Sequence, residues 1–160
     1  MQTAELKISV QNAYVAFKNG TAKQKAFLRD LFPDHNFDGD ITDRVGSYED
    51  ACAIVGINPM TIDNFKPFPE QDREYHFASH KLVTIARVLN EGWQPNWNDS
   101  TQAKYYPWFK PAGGSGFSFD DCIYDGSYTT VGSRLVFRTS ELATYAGKQF
   151  IDIYNIILKN

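Results

Sequence analysis

The chain lacks most of the features that mark out whole classes of protein. It has no surplus of positive charge: 16 Lys and Arg stand against 19 Asp and Glu, a formal net charge of -3. Proteins that grip duplex DNA carry a basic footprint, so duplex DNA is not an expected partner. There are two cysteines, Cys52 and Cys122, far apart and without a CxxC, which argues against a disulfide scaffold or a zinc site. No apolar run approaches the roughly 20 residues needed to span a bilayer, so no membrane partner is expected. Met1 to Glu5 lacks the charged and apolar regions of a secretory signal. The expectation is a soluble, cytoplasmic protein. There is no long repeat and no low-complexity tract.

Rings are plentiful instead. Phe, Tyr and Trp make up 15% of the chain, so much of the core should be aromatic. At 160 residues the chain can fold as one domain over 1–160, or as two lobes sharing a core, 1–92 and 93–160.

Local signals divide the chain. Leu6, Val10, Ala13 and Phe17 follow a helical 4-3-4 spacing, and Gly20 stops that helix. Thr21 with Gln24 reads as a capping box for a second helix carrying Phe27, Leu28 and Leu31, which Pro33 ends. After a polar loop from Asp34 to Asp43, Ser47 with Asp50 caps a short helix ending at Gly56. Asn58 to Pro69, with three prolines, reads as an ordered connector. The clearest helix runs from about Glu70 to Asn90, with Ala78, Leu82, Ile85, Ala86 and Leu89 on one face and Gly92 as its C′ residue.

From Trp93 onward the composition turns aromatic. Tyr105 to Phe109 is a candidate strand that Pro107 makes an edge or a bulge. Ala112 to Gly116 reads as a flexible turn. Phe117–Ile123 and Ser127–Phe137 read as a β-hairpin. A three-residue Tyr124-Asp125-Gly126 loop puts Phe117, Phe119, Val131, Leu135 and Phe137 on one face. That register leaves Arg134 and Arg138 together on the other. Thr139 or Ser140 caps a last helix with Leu142, Tyr145, Ala146, Phe150, Ile153 and Ile157 on one side. The expected fold is therefore α+β: a helical N-terminal half, an aromatic-rich antiparallel hairpin or small sheet, and a closing C-terminal helix.

Several motifs invite a functional reading. Asp34-His35-Asn36-Phe37-Asp38-Gly39-Asp40-Ile41-Thr42 resembles the start of an EF-hand loop, but position 12, which should be a bidentate Glu, is Val45. An Asx-rich turn is the better reading. His76 and His80 stand four apart on a helix, without the Glu of an HExxH, and read as two solvent-facing side chains. No metal is assigned. Gly113-Gly114-Ser115-Gly116 could bring amides close to a phosphate, yet no Gly-Lys-Ser/Thr follows and a strand comes next. Exposed rings can stack on bases or sugars, and Arg134 with Arg138 could hold an anion, the plain alternative being a solvated face paired with Asp120. The candidate ligand-binding residues are Arg134, Arg138, Trp108, Tyr124, Gly114 and Ser115, completed in one version across a homodimer. No nucleophile–base pair stands out, so no catalytic residue and no cofactor are assigned.

Tyr105-Tyr106-Pro107-Trp108-Phe109, Val131-Gly132-Ser133-Arg134-Leu135, Glu141-Leu142-Ala143 and Tyr145-Ala146-Gly147-Lys148-Gln149-Phe150 together resemble a module of Bacteroidetes phage and prophage proteins. Leu89 to Trp97 fits the same pattern, and Tyr48 to Cys52 more weakly. The resemblance covers about half the chain and implies a viral or prophage origin and a non-housekeeping role in the host cytoplasm, with no activity to carry over. The expectation is a non-enzymatic phage accessory protein that binds a small anionic, nucleotide-like ligand or a host protein, for example as an anti-defence sponge. The alternative is a virion or assembly component acting by protein–protein contact. A single-stranded nucleic-acid binder comes next, disfavoured by charge.

Overall fold

The computed structural model describes residues 10–114 and 116–159, and the fold is α+β. Leu6 and Ser115 lie outside the described residues.

The helical half follows its caps. α1 spans Val10–Asn19 and α2 spans Ala22–Leu31, opened by the Thr21/Gln24 capping box. Phe17 stacks on Phe37 with ring centroids 4.8 Å apart, and Ala13 joins them in a small satellite core. α2 buries no side chain fully and leaves Phe27 and Leu31 exposed. α3, Ile41–Arg44, is a single turn inside the loop read as polar. α4, Tyr48–Val55, starts where Ser47 accepts from the Asp50 amide and ends at left-handed Gly56. Two 3-10 turns, Ile62–Phe65 and Glu70–Asp72, order the proline-rich connector and lead into α5, Arg73–Leu89. The helical periodicity of Ala78, Leu82, Ile85, Ala86 and Leu89 is matched by their burial. The first left-handed residue after α5 is Glu91 (φ 48°), followed by Gly92 (φ 83°). A side chain tolerates that conformation at a cost. Here the Glu91 carboxylate is held by Arg138, with Arg44 3.8 Å away.

The β-region differs from the expected hairpin. β1, Lys104–Pro111, pairs antiparallel with β2, Phe117–Asp125, and the turn between them carries left-handed Gly113, Gly114 and Gly116. A bulge lies between Trp108 and Phe109. The segment 127–137 is not a strand. It touches β1 at one bridge, where Tyr105 and Phe137 exchange both main-chain bonds (3.0 and 2.7 Å). Val136 and Phe137 are both buried, and beyond that single bridge the segment forms no ladder with β1. Asp125-Gly126, the apparent hairpin turn, is an exit instead. The Gly126 carbonyl accepts from Lys104 Nζ at 2.7 Å.

Tyr105 turns its main-chain groups to the outer edge of β1, so Pro107, Phe109 and Pro111 turn theirs the same way. Two of those three positions are prolines, with no N–H to offer. The ladder therefore stops after one rung, and the chain turns away through left-handed Gly132.

The last helix is two. α6, Ser140–Gln149, is capped by Thr139, and α7, Ile151–Leu158, follows a break at Phe150 (φ -110°, ψ 25°). α6 lies across β1 and β2 so closely that a Cβ on Gly147 would sit 2.6 Å from both Pro107 and the Phe119 ring. α7 packs on α5. Val131 and Leu135 are not on the face that α6 covers; they belong to the loop beyond the β1 edge. The main core draws on α3, α4, α5, α6, α7 and Phe137 together.

Candidate functional site

Where the ladder stops, a cleft opens. It lies between the outer edge of β1, the 130–135 loop, Leu82 of α5 and the Tyr154–Leu158 end of α7, and measures about 300 Å³. Its walls are almost wholly apolar: Leu82, Pro107, Phe109, Val131, Leu135 and Ile157 among them. Phe109 rests on Tyr154 with centroids 4.8 Å apart, fixing the floor. Trp108 stands at the cleft, 50% exposed. On the polar side Tyr106 donates to the Asp125 carboxylate at 2.9 Å. Burial, then that carboxylate, pushes the Tyr106 phenol above its ordinary range, so it stays a neutral donor.

The sequence-derived candidates do not all meet here. Trp108 lines the cleft. Tyr124 sits opposite Tyr105 in the sheet, its ring 5.5 Å from that of Tyr105, and is 65% exposed. Gly114 is in the β1–β2 turn with φ 88°. The two arginines separate because the hairpin that was to align them is not formed. Arg138 is fastened to Glu91, and its amide donates to Asn90 Oδ1 at 3.0 Å. Arg134 is exposed and lines a second concavity of about 330 Å³ with Arg87, Trp93, Gln94 and Ser133. Asp120, the expected partner of the arginines, pairs with Lys110 at 2.7 Å instead.

The other motifs resolve locally. In the EF-hand-like loop, Asp38 is held by Arg29 at 2.8 Å, Asn36 accepts from the Asp38 amide, and Asp43 accepts from the Asp40 amide. Phe37 and Val45 are buried, so position 12 is a core residue. The histidines are not the two free surface groups that helical spacing indicated. His76 lies against Phe68, centroids 4.0 Å apart. His80 Nε2 is 3.1 Å from the Tyr48 hydroxyl, which also accepts from the Met60 amide. Burial, then the charge of Arg87, lowers the His80 pKa, so the neutral ring can accept the Tyr48 proton. Burial is also the main reason the Tyr48 phenol is pushed up to about 12. This pair is a poor source of a base or nucleophile and a good internal fastening. Among the described residues no helix is long and apolar enough to cross a membrane.

Two features escaped sequence reasoning. One is Arg87, which helical spacing could have placed on the outer face of α5. The other is Lys104, fully buried at the start of β1, donating to the carbonyls of Asp99 (2.8 Å) and Gly126 (2.7 Å) with its ammonium 5.4 Å from the Trp97 ring centre. No protein-family model matches the chain, and no curated protein or solved structure matches it either.

Proposed function

We propose that the protein acts by capture rather than catalysis, holding a small, largely apolar, ring-bearing ligand in the cleft under Trp108. One observation carries this reading: an apolar cleft of about 300 Å³ beside an exposed indole, within the usual size and chemistry of small-molecule sites. The prolines of the β1 edge support a small ligand over an added strand, since a third strand would meet only one donor across three outward positions. A phage accessory role, in which the captured molecule belongs to the host, is the biological setting that the sequence resemblance favours.

The test is to denature the purified protein and analyse the released supernatant by mass spectrometry, beside Val131→Trp, which fills the cleft from the loop side. The expected result is a small molecule recovered from the wild type, or captured from host extract, and lost from Val131→Trp at unchanged secondary structure. Equal recovery from both proteins, or none from either, refutes the reading.

A second reading, a virion or assembly component, has its own observation. Tyr124 and Tyr128 are 65% and 82% exposed, and Tyr and Trp are enriched in protein interfaces. Association that Tyr124→Ser with Tyr128→Ser abolishes, with ligand recovery from the cleft negative, favours it.

A further inference from the structure

We propose a second binding site, for a nucleotide-like ligand bearing both a phosphate and a planar ring, in the concavity formed by the end of α5, the Trp93–Pro95 segment and the Ser133–Arg134 turn. It is separate from the apolar cleft and does not depend on it.

The lining is Val83, Arg87, Asn90, Trp93, Gln94, Pro95, Ser133 and Arg134. Two of these are cations and none is acidic, in a chain whose net charge is -3. Arg87 and Arg134 are both exposed, and among the described residues neither guanidinium makes a hydrogen bond or an ion pair. The other arginines with a described guanidinium environment are engaged: Arg29 with Asp38, Arg44 and Arg138 with Glu91, and Arg73 with two carbonyls. Three of those four face a carboxylate and the fourth faces two carbonyls, whereas these two share one concavity with neither.

The floor of the concavity is tied down by Asn90. Asn90 is buried, donates to the Val136 carbonyl at 2.8 Å and accepts the Arg138 amide. That ties the end of α5 to the loop bearing Ser133 and Arg134. Trp97 Nε1 donates to Ser133 Oγ at 2.7 Å, so the Ser133 hydroxyl proton is left for another acceptor. The site therefore offers two guanidinium forks and one hydroxyl donor. A guanidinium matches a phosphate with two parallel donors. Trp93, half-buried on the same wall, gives a ring on which a base can stack. A bare phosphate would use only the guanidinium and hydroxyl donors, and an apolar ligand only the ring.

The experiment is calorimetric titration of the full chain with adenosine monophosphate, guanosine monophosphate, adenosine and inorganic phosphate. The proteins are the wild type, Arg87→Gln, Arg134→Gln, Trp93→Leu and Trp108→Ala. The expected result is nucleotide binding at least tenfold tighter than either adenosine or phosphate alone. Each arginine variant should weaken it by tenfold or more, and Trp93→Leu should weaken nucleotide more than phosphate. At neutral pH, melting temperatures of the arginine variants should match the wild type, because neither guanidinium makes a described hydrogen bond or ion pair and the Arg87 charge acts only on the titration of His80. Trp108→Ala should bind nucleotide normally, which separates this site from the apolar cleft. Wild type that binds no nucleotide at 1 mM overturns the proposal. So does nucleotide binding indifferent to both arginine variants, or phosphate bound as tightly as nucleotide. Nucleotide binding lost in Trp108→Ala but kept in the arginine variants moves the ligand to the apolar cleft and also overturns it.

Discussion

Lys104→Met isolates the most unusual polar group in the fold. The side chain is fully buried, and its ammonium bridges two main-chain carbonyls from different loops, Asp99 and Gly126, beside the Trp97 ring. Methionine has similar length and no donor. The substitution strands two carbonyls, each costing about 1–3 kcal/mol when left unsatisfied. Relief comes from no longer burying a charge, which the ring and carbonyls only partly compensate. The net expectation is a loss of about 2–4 kcal/mol. For a chain of this size, each kcal/mol lowers Tm by roughly 2–4 °C, so the drop should be on the order of 5–15 °C. Urea denaturation is the assay, and an unchanged m-value shows that stability rather than compactness has changed. Trp97 emission should shift as well, since its cationic neighbour is gone. A variant as stable as the wild type would refute the reasoning, because the two carbonyls would then have needed no ammonium.

Phe150→Ala should cost about 3–5 kcal/mol, as for other buried aromatic truncations, because Phe150 is buried at the joint between α6 and α7; an unchanged Tm would refute this. Gly147→Ala should destabilise by about 1–3 kcal/mol through overpacking against Pro107 and Phe119, even though alanine favours the helix; a gain in urea midpoint would show that α6 can lift without loss. Acid should weaken the fold through His35 and His80. Both are lowered by burial and then by an arginine charge, so the unfolded chain takes up protons first as pH falls below about 6.5. Their contribution is present above that pH and is lost below it. Tm should fall between pH 7.5 and 5.5, less steeply in His80→Gln, and a Tm that rises over that interval would contradict the assignment.

How far the sequence could be read depended on whether a signal was local. Thr21 with Gln24, Ser47 with Asp50, and Thr139 act within one helical turn, and each caps the helix it marked. The 70–90 periodicity needs only one apolar side to pack against, and that side is buried as expected. The hairpin was misplaced by one strand because two turn signals competed. Asp125-Gly126 has the stronger local preference, but the Gly126 carbonyl is needed by Lys104, and Gly126 itself lies so close to Ser100 that a Cβ would meet its carbonyl at 2.5 Å. The turn that carries Gly113, Gly114 and Gly116 therefore closes the strands. Pro107 marked Tyr105–Phe109 as an edge or bulged strand, and β1 is the edge of a two-stranded sheet with a bulge at Trp108/Phe109. The break at Phe150 has no proline or glycine to announce it. Trp108 and Arg134 were legible as exposed residues, but the structure puts them in two separate concavities. The pairing of Arg138 with Glu91 joins positions nearly fifty residues apart and has no local signature.

The prolines of β1 have a consequence for the chain before it folds. Tyr105-Tyr106-Pro107-Trp108-Phe109 is uncharged and almost all ring, the composition that seeds cross-β stacking when a segment is exposed on the ribosome or during heat stress. A proline at the centre of that window, and a second at Pro111, interrupt every register in which identical copies could zip together. Pro107→Val would restore the missing N–H opposite the 135–137 segment and, by propensity alone, improve the sheet. It would also create five contiguous β-formers, guarded only by Lys104 and Lys110 at the two ends. Such a variant should fold to a normal spectrum when dilute and yet form thioflavin-positive fibres on refolding at high concentration, a liability that the native chain carries its own safeguard against.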